Sequence, residues 1–70
     1  MKYLVIIERG ADGSFSAYVP DLPGCASCGD TVAEVKSSIK EAIDFHVEGL
    51  REQGLEVPNP QTLCDFIEAA

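Results

Sequence analysis

Apolar residues fall into separate stretches along this chain, and each stretch has its own period. Tyr3-Leu4-Val5-Ile6-Ile7 is an unbroken β-branched and aromatic run, which predicts a strand. Tyr3, Val5 and Ile7 point one way and Leu4 and Ile6 the other, so this strand is apolar on both faces and needs cover on both. Phe15, Ala17 and Val19 alternate with Ser14, Ser16 and Tyr18, the period-two pattern of a second strand with one apolar face. Between the two, Gly10-Ala11-Asp12-Gly13 predicts a tight turn, with Asp-Gly supplying the positive φ a hairpin needs. Cys25–Gly29 is short and built of small residues, and reads as a third strand at a sheet edge. The period then changes. Val35, Ile39, Ala42, Ile43, His46 and Leu50 recur at helical spacing, with Lys36, Lys40, Glu41, Asp44, Glu48 and Arg51 on the wet side.

The ends of that helix are marked. Thr31-Val32-Ala33-Glu34 has the form of a capping box, with the Thr31 hydroxyl taking the Glu34 amide and the Glu34 carboxylate reaching back. Gly54 stands where a left-handed C′ residue belongs, which pairs Leu55 with Leu50 as in a Schellman ending. The helix is therefore expected from Val32 to Gln53. Gly49 costs up to about 1 kcal/mol inside it, and reads as a point of close approach to a strand or another subunit. Pro58-Asn59-Pro60 forces an extended exit. From its own residues, the last apolar segment, Leu63–Glu68, is equally compatible with a strand and a helical turn.

One helix covers one face of a sheet. Nothing else in this pattern covers the other face of Tyr3–Ile7, and an uncovered apolar patch marks an interface. A second candidate surface is the corner Val19-Pro20-Asp21-Leu22-Pro23-Gly24, where two prolines fix φ and present Asp21 and Leu22 at a set angle, lowering the ordering cost of docking. The expected partner-binding or oligomer residues are therefore Tyr3, Val5, Ile7, Tyr18, Pro20, Asp21, Leu22 and Pro23.

Length sharpens this expectation. The 70 residues make one domain, residues 1–70, with no repeat or linker. A chain this short is marginal alone and needs a staple. The cysteines number 3, an odd count that cannot pair fully within the chain. No signal-like segment is visible, so a cytoplasmic setting with reduced thiols is expected, and the staple is self-association or a partner. The net charge is −7, from 12 acidic and 5 basic residues, and Lys2, Arg9, Lys36, Lys40 and Arg51 are scattered among carboxylates. Direct nucleic-acid binding is not expected of such a chain, whereas a basic protein would be attracted to it.

Catalytic and metal readings are weak. Cys25-Ala26-Ser27-Cys28 is a C-x-x-C, but it precedes the helix on a predicted strand, where residues three apart face opposite ways. Zinc would have to recruit Cys64 and His46 as well, with no second ligand knot. His46 has only Asp44 and Glu48 close in sequence, at offsets that face elsewhere on a helix. Glu8, Asp65 and Glu68 are too few strand carboxylates for a metal-dependent nuclease. No cofactor and no enzymatic activity are expected.

Several of these pieces occur together in one family. The Tyr3–Ile7 strand, the Asp12-Gly13 turn, Ala17 through Cys25, Gly29-Asp30-Thr31, Glu41-Ala42-Ile43 with Phe45-His46, and Gly54 followed by Pro58 and Pro60 resemble the HicB-like antitoxins. The resemblance implies an α+β fold, a β-β-β-α-β partial ribonuclease H-like arrangement without nuclease activity. It makes Leu63–Glu68 a strand, for a sheet order of 3-2-1-4 with the first strand in the middle and the long helix on one face. It also implies homo-oligomers that bind a small basic HicA-type toxin, which cleaves RNA using a histidine, and mask that histidine. Many members continue into a DNA-binding ribbon-helix-helix or helix-turn-helix domain. These 70 residues contain none, so operator binding is not expected of them. The alternative reading is a stand-alone oligomeric scaffold with no toxin.

Overall fold

A computed structural model describes residues 1–70. Three strands, β1 (Ile6–Arg9), β2 (Phe15–Tyr18) and β3 (Ala26–Gly29), precede a single helix, α1 (Val32–Glu52). The strands form an antiparallel sheet in the order β1-β2-β3. Ile6 lies opposite Tyr18 and Arg9 opposite Phe15, while Phe15 lies opposite Gly29 and Tyr18 opposite Ala26. The β1 ladder is shorter than the apolar run and shifted along it, because the partner strand stops at Tyr18, just before the proline corner. The hairpin closes as its sequence requires: Gly13 adopts φ 86°, and Asp12 accepts bonds from the Ser14 amide (3.0 Å) and hydroxyl (2.6 Å). Those two bonds hold the Asp12 carboxyl below its ordinary pKa.

Both helix ends follow the sequence signals. The Thr31 hydroxyl accepts the Glu34 amide at 3.1 Å, and the Glu34 carboxylate accepts the Asp30 amide at 2.9 Å, one residue earlier than a standard capping box. At the other end Gly54 has φ 70°, its amide reaches the Arg51 carbonyl at 3.0 Å, and the Leu55 amide reaches that of Leu50 at 2.9 Å. These two bonds define the Schellman motif.

The helix lies over β3 and β2 rather than centrally on the sheet. Ala17, Val19, Leu22, Cys25, Val35 and Ile39 form the buried core, with Tyr3, Val5, Phe15, Ala42, Ile43 and Val47 packed around it. Only 6 of 70 residues are buried, a thin core that matches the marginal stability expected of this length. The close backbone approach falls at Gly29, not at Gly49. A Cβ on Gly29 would stand 2.8 Å from the Val35 amide nitrogen, whereas one on Gly49 would meet nothing within 4 Å. The absent side chain is thus what lets the start of α1 sit down on β3.

The order β3-β2-β1 holds, but the fourth strand and the central place of β1 do not. Residues 63–68 form neither strand nor helix, and β1 is an edge strand with one side unpaired. The reason lies in how the segment after the helix is tied. The Tyr3 hydroxyl donates to the Pro58 carbonyl at 2.5 Å. The Asp21 carboxylate accepts the Gln61 amide (3.0 Å), the Thr62 amide (3.0 Å) and the Thr62 hydroxyl (2.7 Å). Asp21 sits in the β2–β3 connection, so the chain is led away from the free edge of β1.

Candidate functional site

Side-chain alternation fixes what each sheet face carries. Ile7 lies opposite the buried Ala17, so Val5 and Ile7 share the helix-side face with Ala17 and Val19. The other face carries Ile6, Glu8, Ser16, Tyr18, Ala26 and Cys28. That back face is small where β2 and β3 offer Ser16, Ala26 and Cys28, and its larger apolar groups are Ile6 and Tyr18, which lie opposite each other. Tyr3, Val5 and Ile7 therefore do not form the uncovered back face expected from the sequence. They lie on the helix side and are incompletely covered because α1 is displaced toward β3.

The gap left by that displacement is the main concave feature of the molecule. Val5, Ile7, Lys36, Ile39, Lys40 and Ile43 line one part of it, about 360 Å³. Met1, Lys2, Tyr3, Lys40, Ile43, Asp44, Val47 and Arg51 line the other, about 480 Å³. Lys40 and Ile43 belong to both parts, so they form one trough between the free edge of β1 and α1. Its floor is apolar and its rim is basic: Lys2, Lys36, Lys40 and Arg51 are four of the chain's 5 basic residues. Lys40 pairs with Asp44 at 2.6 Å, an exposed i,i+4 bridge, whereas Lys36 has no carboxylate partner.

The proline corner has a structural role. Leu22 is fully buried, with 0% exposure, so it is a core residue and not a docking residue. Asp21 holds residues 61 and 62, and those hydrogen bonds, led by the Thr62 amide, keep its carboxyl below the ordinary value. Pro20 is half-buried, and Pro23 and Tyr18 are exposed. Burial pushes the Cys25 thiol up, while Cys28 and Cys64 are exposed, and all three are free. No group of three or more His, Cys, Asp or Glu side chains converges on one point. No helix is long and apolar enough to cross a membrane.

A second surface lies on the outer side of α1. Phe45 is 80% exposed. With Glu48, Gly49 and Glu52 it lines a shallow hollow of about 150 Å³. An aromatic ring set among carboxylates is unused by the fold itself. The basic trough and this acidic aromatic patch were both missed by reading charges as a scattered wet face. Their signal was present: Lys36, Lys40, Asp44, Val47 and Arg51 recur at three- and four-residue steps, as do Phe45, Glu48 and Glu52.

Comparison with known proteins fits this architecture. The family model for the HicB-like antitoxin of bacterial toxin-antitoxin systems matches residues 3–70. The chain belongs to the HicB-like antitoxin family. An uncharacterised 14.9 kDa protein of Haemophilus phage HP1 is 43% identical over 67 residues, covering 96% of this chain and 50% of the phage protein. This chain thus spans about half the length of that relative. A UPF0150 protein of Thermoplasma acidophilum is 43% identical over 58 residues, covering 83% of this chain and 84% of its own. Among solved structures, a chain of the HicA3 and HicB3 toxin-antitoxin complex superposes with a TM-score of 0.70 at 31% identity, covering 86% of this chain and 70% of that one.

Proposed function

We propose that this HicB-like chain binds a small basic RNA-cleaving toxin of the HicA type and silences it stoichiometrically by covering its active site. The observation that carries the reading is family membership over nearly the whole chain, joined to a shared fold with a chain solved inside a toxin-antitoxin complex. The net charge of −7 supports it, because an acidic surface steers a basic partner into contact. The surface best suited to that partner is the outer side of α1. There Phe45 offers an aromatic anchor, and Glu48 and Glu52 offer the complementary charge. The protein performs no chemistry in this reading, acts in the cytoplasm, and self-associates through the β1 edge and the side chains of Tyr3, Val5 and Ile7.

Co-purification with a candidate small basic toxin, followed by an RNA-cleavage assay, tests the reading. Cleavage should fall to background near a one-to-one ratio. Phe45→Ala should weaken binding by at least about tenfold, as loss of an aromatic anchor does. If no basic partner binds and cleavage is unaffected, the antitoxin reading fails and the oligomeric scaffold replaces it.

A further inference from the structure

Gly49 is the residue of α1 that the fold does not explain. Glycine weakens a helix interior relative to alanine, and the usual structural reason for it is a close neighbour that a side chain would strike. Gly29 has such a neighbour, whereas a Cβ on Gly49 would meet nothing within 4 Å. The empty place is nevertheless shaped. Phe45, one turn earlier, stands 80% exposed. Two hollows meet at Phe45 and Gly49. One, about 210 Å³, is completed by His46, Leu50 and Gln53, and the other, about 150 Å³, by Glu48 and Glu52. The pair therefore forms an aromatic shelf with a notch beside it. The surrounding surface is acidic: Glu41, Phe45, Glu48 and Glu52 follow one another at four- and three-residue steps, a single exposed stripe. The one ion pair of the chain joins Lys40 to Asp44, so Glu41, Glu48 and Glu52 have no basic partner.

We propose that Gly49 is a specificity-determining position of the toxin-binding surface: it leaves room for an arginine of the basic partner to lie across α1, with its guanidinium on the Phe45 ring and its N–H groups donating to Glu48 and Glu52. The inference rests on the antitoxin reading and names the group that this surface recognises. Three observations select that occupant. The first is chemistry: the face of an exposed aromatic ring attracts a planar cation, and carboxylates on the same stripe accept its N–H groups. Arginine meets both demands at once, whereas the compact ammonium of lysine offers neither a plane nor a fork. The second is shape: both hollows reach Gly49, so the apolar stem of an arginine can cross from the His46 and Gln53 side and bring its head to Glu48 and Glu52. A side chain at position 49 would block that passage. The third is charge: a second copy would set Glu41, Glu48 and Glu52 against the same acids, and a nucleic acid would set phosphates against them. The helix gives up stability at Gly49, and the complex uses the space.

Opposite signs separate this role from a structural one. The test is titration calorimetry of a candidate HicA-type toxin into the wild-type chain, Gly49→Ala and Gly49→Leu, with a denaturation midpoint and helical circular dichroism for each. Gly49→Ala should raise the midpoint, because alanine is the better helix former and meets open space, and yet weaken toxin binding by about tenfold. Gly49→Leu should close the notch, keep the helical signal and weaken binding by about a hundredfold. Replacing the arginines of the toxin one at a time by lysine completes a double-mutant cycle: one replacement should weaken binding to the wild-type chain and have no further effect on Gly49→Leu. A toxin that binds the wild-type chain and both variants equally well overturns this inference and leaves the antitoxin reading intact. A toxin that does not bind the wild-type chain overturns that reading, and this inference with it.

Discussion

The helix meets the two sides of the sheet differently. On the β3 side, Gly29 lets α1 approach until a Cβ would stand 2.8 Å from the Val35 amide, and Ala17, Cys25, Val35 and Leu22 fill the space completely. On the β1 side the same helix stands off. Val5 and Ile7 meet Ile39 and Ile43 across an open trough whose rim is held by long basic side chains. Small residues bring the first two layers together, and β-branched and charged residues keep the second pair apart. A 70-residue chain thereby divides its limited apolar surface between one closed side that folds it and one side left open.

Breaking the closed side should have the largest effect. Leu22→Ala removes a fully buried side chain and should cost about 2–5 kcal/mol. A domain of this size holds roughly 3–10 kcal/mol in all, so chemical denaturation should show a largely unfolded population. Gly29→Ala should cost about 1–3 kcal/mol, because the new methyl group forces α1 off β3. The denaturation midpoint will report it. Gly49→Ala sharpens the contrast. The same change meets open space on the helix's outer side and should stabilise the chain by up to about 1 kcal/mol, read in the same experiment.

The smallest effect belongs to the tether between the two sides. The Asp21 carboxyl titrates below its ordinary value of 3.8 in the folded chain, so its contribution is complete above that value and is lost as pH falls through the lower, folded one. Amide exchange at Gln61 and Thr62, taken relative to the intrinsic rate at each pH, should therefore be protected at neutral pH and lose that protection in acid. In Asp21→Ala that protection should be absent at every pH, while β2 and α1 amides stay protected.

Local signals carried most of the fold. The hairpin glycine, the Thr31 cap and the Leu50–Leu55 pairing around Gly54 depend on neighbouring residues, and each stands where the sequence put it. What the sequence hid depends on contacts far apart along the chain. Asp21 looks like a presented turn residue until residues 61 and 62 arrive on it, and Leu22 looks exposed until the corner folds inward. The lateral offset of α1 is set by a missing Cβ at Gly29, which no periodicity encodes. Register puts Val5 and Ile7 on the helix side with Ala17, and that offset is what leaves them, with Tyr3, lining an open trough. Residues 63–68 stayed ambiguous because their apolar positions follow neither a strand nor a helix period clearly, and in the structure they form neither.

The most direct test of the account titrates this chain into RNA cleavage by a small basic HicA-type toxin. Cleavage should fall to background near one copy of each protein, as stoichiometric binding requires. Cleavage that continues unchanged at a large excess of the chain would contradict it.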